Sequence, residues 1–368
     1  MKHRIVSAAL AGLLIVGIAG CELDPPYTGS EPAGSAAAEA SSVSTPQSQA
    51  AASSLALNPL TGRMDLKKDA VGKRPVAVMI NNIETAQSVQ TGLGDADIVF
   101  ENLAEGGISR LMAVYSDIAS VGQIGTIRSL RYSYIDLAAT FDAIPVHCGA
   151  DNDYATPHLK SLKLSSFDLG AKDSSVQFRE KNGKATEHTL YTKGSMLSEG
   201  LAKSKLRQKL DSNQPDTAFQ FGQPDASVPA GDTSCVKAHV SMSSSYTTDF
   251  IYDETEKTYT RCPNGKTLKD YKTGKPVSVK NVFFLYTNVT LFDDNYHTKT
   301  SLSGGEGVYI SDGASKPIRW KKGSASSPLV FTDEEGSELT VNAGSSWICL
   351  VPNSEKSQTV LTEEITNS

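Results

Sequence analysis

An excess of basic charge is absent. The chain carries 35 Lys and Arg against 41 Asp and Glu, a formal net charge of −6. A nucleic-acid partner calls for a cationic field, so no nucleic acid is expected. Catalytic and metal-binding signatures are missing as well. There is no CxxC, no Cys/His spacing of a zinc site, no HExxH and no GxSxG elbow. Gly92-Leu93-Gly94, Gly106-Gly107 and Gly304-Gly305-Glu306-Gly307 lack the Lys, Ser and following helix of a phosphate loop and read as turns. No cofactor or metal is therefore expected, and no motif marks an enzyme. Beyond the first 20 residues no hydrophobic run approaches the ~20 residues of a membrane helix. Tryptophan is limited to Trp320 and Trp347, both read as core.

What is there begins with a leader. Lys2, His3 and Arg4 precede an apolar run that closes on Ile18-Ala19-Gly20-Cys21. Residues 1–20 are expected to be a signal peptide removed before Cys21, whose thiol carries a diacylglycerol. A second, palmitate-type chain on the freed amine makes such anchoring stable. Residues 21–57, rich in Ala, Ser, Pro and Gln, read as a lipidated cysteine followed by a disordered tether. A tether of that length reaches on the order of 30 Å. The body is thus expected outside the cytoplasm, anchored to the cell membrane through lipid on Cys21. Export permits disulfides, and Cys148, Cys235, Cys262 and Cys349 allow three pairings. A bridge, if formed, is expected among Cys235, Cys262 and Cys349, with Cys148 a buried thiol.

The patterning predicts an α+β fold. An α/β N-terminal domain spans 58–213, a β-rich antiparallel C-terminal domain spans 214–354, and 355–368 is a disordered tail. In the first domain, apolar β-branched runs predict strands at 74–80, 96–101, 109–115 and 142–148. Apolar residues recurring at threes and fours predict a helix over 129–141 with Ser129 as N-cap. Further helices are expected at 151–162 and 195–210. In the second domain, alternation over 241–261 and 281–292 is followed by short strands at 307–310, 318–322, 329–332, 338–341 and 346–351.

The densest polar constellation lies between Asp95 and Arg131. Arg128 and Arg131 flank Ser129 behind a glycine-bearing turn, and Arg110, Glu101 and Glu105 lie upstream. Guanidiniums beside a helix N-terminus suit a phosphate or carboxylate. In the alternative arrangement Glu101 and Glu105 pair with these arginines and lock strand to helix. His147, followed by Asp151 and Asp153, is a candidate general base or metal ligand, or else a hydrogen-bonded loop histidine.

Three stretches together resemble the YerB-like lipoproteins, an envelope family built from two domains of unknown function. They are 74–81 continuing through TGLGDADIVFENLAEGGISRLMAVYSD (91–117), VGQIGTIRSLR (121–131) running on to His147-Cys148-Gly149, and 307–352 with its two tryptophans. The resemblance implies an α/β domain, a β-rich domain and a lipid anchor, and no particular reaction. This chain has Gly344-Ser345-Ser346 where the resemblance leads one to expect Gly-Lys-Thr. The function expected is a binding or accessory module of the cell envelope, using an Arg/Glu-lined anion site for a cell-wall polymer, an anionic ligand or an envelope protein. The alternatives are a metal-assisted enzyme on a phosphate-bearing wall or lipid-linked substrate, and a structural Arg/Glu clamp in a protein that binds protein partners.

Overall fold

The computed structural model describes residues 55–363. The expected signal peptide, Cys21 and nearly all of the expected tether lie outside the described residues. The first described element is Leu55–Ala56, paired antiparallel with Leu66–Lys67.

The frame is an eleven-stranded mixed sheet. Its first part is assembled from Val76–Asn81, Ile98–Leu103, Ser109–Tyr115, Ile144–His147 and Phe167–Asp168. These central strands read as nearly unbroken apolar runs because both faces are covered. Val78, Ile80, Val99, Leu111 and Ala113 enter the core on one face. Ala77, Met79, Phe100, Met112 and Val114 enter the core on the other. This is the period of two that a strand imposes.

The second half of the chain continues the same sheet. Ser346–Pro352 runs parallel to Asn281–Thr287 on one side and parallel to Ile98–Leu103 on the other. Gly304–Ser311, Ala314–Lys321 and Thr233–Ser234 extend it to the far edge, with Val330–Thr332 attached beside Ala314–Lys321. A strand from near the end of the chain therefore stitches the two halves together. The expected boundary at 213/214 falls in a stretch without regular helix or strand between Gly194–Ala202 and Thr233–Ser234.

A five-stranded antiparallel sheet covers one face, in the order Ser278–Val279, Thr258–Pro263, Tyr246–Asp253, Lys237–Ser243, Val360–Thr362. Its Ala238, Val240, Met242, Phe250 and Tyr259 share a core with Phe284 and Trp347 of the large sheet. Helix Tyr132–Ala139 covers the other face through Tyr134, Ile135 and Ala138.

Several expectations change in detail. The tail expected to be disordered over 355–368 is ordered as far as it is described: Asn353–Gln358 is a 3-10 helix, Val360–Thr362 pairs with Lys237–Ser243, and 364–368 lie outside the described residues. Residues 338–341 contribute only isolated bridges, at Glu338 and Val341. The helices expected over 151–162 and 195–210 are Ala155–Ser161 and Gly194–Ala202. Cys148, Cys235, Cys262 and Cys349 are all free thiols, so no bridge forms among them. Trp320 and Trp347 are buried, as expected.

Candidate functional site

The two glutamates of the constellation go to opposite faces of the sheet. Glu101 shares its face with Val99, whereas Arg110 shares the other with Met112 and Val114. Register settles it: Glu101 pairs with Leu111, and Arg110 with Asn102. Residues one apart on a strand point opposite ways, so Glu101 does not reach Arg110.

Glu101 instead pairs with Arg261, which arrives from strand Thr258–Pro263 of the covering sheet. The guanidinium Nη2 donates to both carboxylate oxygens, at 3.1 and 3.2 Å. Ser109 Oγ donates at 2.8 Å, Asn82 Nδ2 at 3.0 Å and Trp347 Nε1 at 3.0 Å. Arg261 also lies 4.5 Å over the Trp347 ring and donates to the Tyr246 hydroxyl. Both charged side chains are essentially sealed from solvent. Burial alone lowers an arginine pKa, yet Glu101 and the Tyr246 phenol hold that of Arg261 above its ordinary value. A buried charge needs a partner and filled hydrogen-bond sites, and this carboxylate has both. Glu101 is a structural clamp between the layers.

Glu105 lies just past the carboxyl end of Ile98–Leu103, in a turn where Gly106 and Gly107 take φ of 65° and 73°. Glycine pays no steric cost at positive φ, so the chain can reverse tightly into Ser109–Tyr115. Two of the three expected arginines meet this carboxylate: Arg131 Nε donates to Oε1, and Arg110 Nη2 lies 3.6 Å from Oε2. Arg110 also donates to the Ser129 carbonyl at 3.0 Å. Arg128 has no carboxylate partner. Its Nη1 donates to the Glu187 carbonyl at 3.3 Å, and its Nε is buried without a hydrogen bond. Burial, with the Arg128 charge nearby, brings the Arg110 pKa down to about 10. Burial lowers that of Arg131 too. Two guanidiniums thus meet the Glu105 carboxylate, Asp151 acts on one of them, Arg131, and the Arg128 charge lies near Arg110.

The helix behind them starts later than expected. Tyr132–Ala139 has Arg131 at the N-cap position with no side-chain cap, and Ser129 lies outside the helix. Arg128 and Arg131 are held instead by backbone bonds to neighbouring strands. Arg128 N donates to Met79 O, Leu130 N to Gly149 O and Cys148 N to Arg128 O. The cluster sits at the carboxyl ends of the parallel strands Val76–Asn81, Ile98–Leu103 and Ile144–His147, where ligands of open α/β sheets bind.

The second half of the chain supplies a cover. The hairpin of Val289–Leu291 and Thr298–Thr300 docks through Thr298 Oγ1 on Leu103 O at 3.1 Å, and through Thr300 Oγ1 on Asn102 Oδ1 at 2.9 Å. It brings His297 Nε2 to 3.9 Å from Glu105 Oε1.

His147 is not brought into the cluster. One ring nitrogen lies 2.7 Å from Gly149 O and the other 2.8 Å from Ser166 Oγ, and burial lowers its pKa. Asp151 accepts from Tyr154 N and Ala155 N instead of reaching the histidine. Among the described residues, no group of three or more His, Cys, Asp and Glu is arranged to hold a metal ion.

Arg261, Asn82, Tyr246 and Trp347 around Glu101, and the hairpin over Glu105, escaped the sequence reading. One signal existed: Arg261 alternates in phase with Tyr259, which is fully buried. An arginine on the inward phase of a strand needs an inward carboxylate.

Residues 60–207 match the N-terminal domain of DUF3048, a protein of unknown function, and residues 238–348 match its C-terminal domain. The chain is 28% identical over 299 residues to "Putative lipoprotein YerB" of Bacillus subtilis (strain 168), covering 80% of this chain and 86% of that protein. It also resembles the crystal structure of the YerB protein from Bacillus subtilis, with a TM-score of 0.71 and 26% identity, covering 83% of this chain and 99% of that one.

Proposed function

The chain belongs to the DUF3048 family, and on that premise we propose that it is an envelope binding module that takes an anion at Arg110, Arg128 and Arg131. One observation carries this reading: Arg110 and Arg131 both reach Glu105, and Arg128, close enough for its charge to act on Arg110, has no carboxylate partner. The internal clamp at Glu101 matches one charge to one and fills both carboxylate oxygens, while Arg261 Nε and Nη1 stay buried without a hydrogen bond, so it is the surplus of cationic charge and not an orphaned donor that sets the Glu105 cluster apart. A cluster with surplus cationic donors is suited to a carboxylate or phosphate. Its position at the carboxyl ends of parallel strands agrees with that use.

Placement outside the cytoplasm, with lipid on Cys21, is part of the proposal. It is supported by the leader ending in Ile18-Ala19-Gly20-Cys21 and by the name of the Bacillus subtilis relative. No helix among the described residues is long and apolar enough to cross a membrane. Mass spectrometry of the native protein tests the anchor: the expected N-terminus is a diacylglyceryl cysteine, and a chain still starting at Met1 refutes it.

Calorimetric titration with inorganic phosphate and with acetate tests the site. The expected result is binding that weakens with salt and is lost in Arg128→Ala, with the melting temperature unchanged. An affinity indifferent to Arg128→Ala removes the anion reading.

A further inference from the structure

We propose that the anion is borne by a sugar chain, so that the site reads an acidic glycan; this rests on the anion reading above. Aromatic rings from both halves of the chain gather beside the arginines. Tyr132 directly follows Arg131, and its ring meets that of Phe292 edge-on with centroids 5.1 Å apart. Tyr154 stacks on Phe292 at 3.9 Å and lies 5.5 Å from His297, the residue facing Glu105. At the tip of the hairpin Tyr296 is 58% exposed and meets the His297 ring edge-on with centroids 5.1 Å apart.

Two features select the ligand class. Half-exposed tyrosine and phenylalanine rings offer flat apolar surface with polar rims, which matches the C–H faces of pyranose rings. The carboxylates that act on the Tyr154 phenol are Asp294, Asp293 and Asp153. Asp153 and Asp293 are exposed, so they can accept hydrogen bonds from hydroxyl or N-acyl N–H groups. These carboxylates also repel a second negative charge. The surface therefore has a cationic end that takes one anion and an aromatic end, where Asp153, Asp293 and Asp294 outnumber the single Lys299 ammonium 5.7 Å over the Phe292 ring, that takes neutral sugar. A nucleic acid or a polyphosphate, charged at every unit, meets repulsion at the second end. A glycan with an isolated carboxylate or phosphate group satisfies both.

The test uses full-length protein in detergent and four probes in calorimetry. They are a neutral N-acetylglucosamine hexamer, a hexamer bearing one carboxylate, one bearing one phosphate, and inorganic phosphate alone, with an acidic hexapeptide as a fifth, control probe. A charged hexamer is expected to bind at least roughly tenfold more tightly than either the neutral hexamer or free phosphate. The better of the two charged hexamers identifies the anion. Tyr296→Ala, at an exposed tip, is expected to weaken the charged hexamer roughly tenfold and leave inorganic phosphate unchanged. Asp153→Ala is expected to weaken the hexamer and not the phosphate, while Arg128→Ala weakens both. If phosphate binding depends on Arg128 but the charged hexamers bind no better than phosphate, the glycan inference fails and the anion site stands. The inference also fails if an acidic hexapeptide binds as tightly with the same Tyr296 sensitivity. If no probe binds, both readings fall.

Discussion

Glu101 and Glu105 stand four residues apart on one strand-and-turn, yet they build opposite kinds of charged site. Glu101 faces one guanidinium in a sealed layer and has its oxygens filled by Arg261, Asn82, Ser109 and Trp347. Glu105 faces Arg110 and Arg131, with Arg128 left over, at the open end of the sheet. The same residue type makes a clamp where charge is matched and water excluded. It makes a candidate site where cations outnumber it and solvent can enter. Counting partners around each carboxylate distinguishes the two better than composition does.

The comparison can be broken most forcefully at Glu101. Glu101→Ala leaves Arg261 buried and unpaired, and the expected loss is about 3–5 kcal/mol in urea unfolding. Adding Arg261→Met to it is expected to recover only part, because Asn82, Ser109 and Trp347 keep donors without an acceptor. A Glu101→Ala protein as stable as wild type would show that the pair does not join the layers.

Trp347→Phe keeps most of the ring volume and removes the indole N–H that meets Glu101. Its expected cost in the same unfolding experiment is about 1–3 kcal/mol, the range for losing a hydrogen bond to a buried charge.

Arg131→Ala sharpens the contrast, since Arg110 still faces Glu105 in that variant. The expected stability loss is about 1 kcal/mol or less, while phosphate affinity falls measurably in calorimetry. A large loss of stability with unchanged affinity would make Glu105 a second clamp.

The smallest effect is one of pH. Arg110, lowered to about 10, is charged in folded and unfolded chains below that value. Above about 10 the folded chain releases this proton before the unfolded chain does, so this group adds to stability as pH rises. Anion affinity is expected to fall over the same window. Arg261, whose pKa is raised, keeps its charge there. Titrating phosphate binding and melting temperature from pH 8 upward checks both trends.

Sequence reading recovered the apolar strands well because burial on both faces leaves few alternatives for runs such as 76–80 and 109–115. The strand Ser109–Tyr115 has the limits expected for it. It grouped Glu105 with Arg110 because those two flank one short reversal, whereas Arg131 reaches Glu105 from the start of helix Tyr132–Ala139. It placed Ser129 in a helix because apolar spacing extends upstream of Tyr132. The backbone there instead bonds to Met79 and Gly149 of neighbouring strands, and no local pattern reports such a competitor. The free cysteines follow the same logic: where each thiol lies in three dimensions, not their number, decides whether thiols can meet.

By itself the sequence determined the α+β class and which strands are buried on both faces, because these follow from local composition and period. The register that sends Glu101 and Arg110 to opposite faces came from the paired strands. Only the tertiary structure decided that Ser346–Pro352 joins the halves into one sheet, that Arg261 answers Glu101 from 160 residues away, and that the Tyr296 hairpin lies beside the arginines. Those pairings depend on long-range register and charge satisfaction, which exist only once the layers have packed.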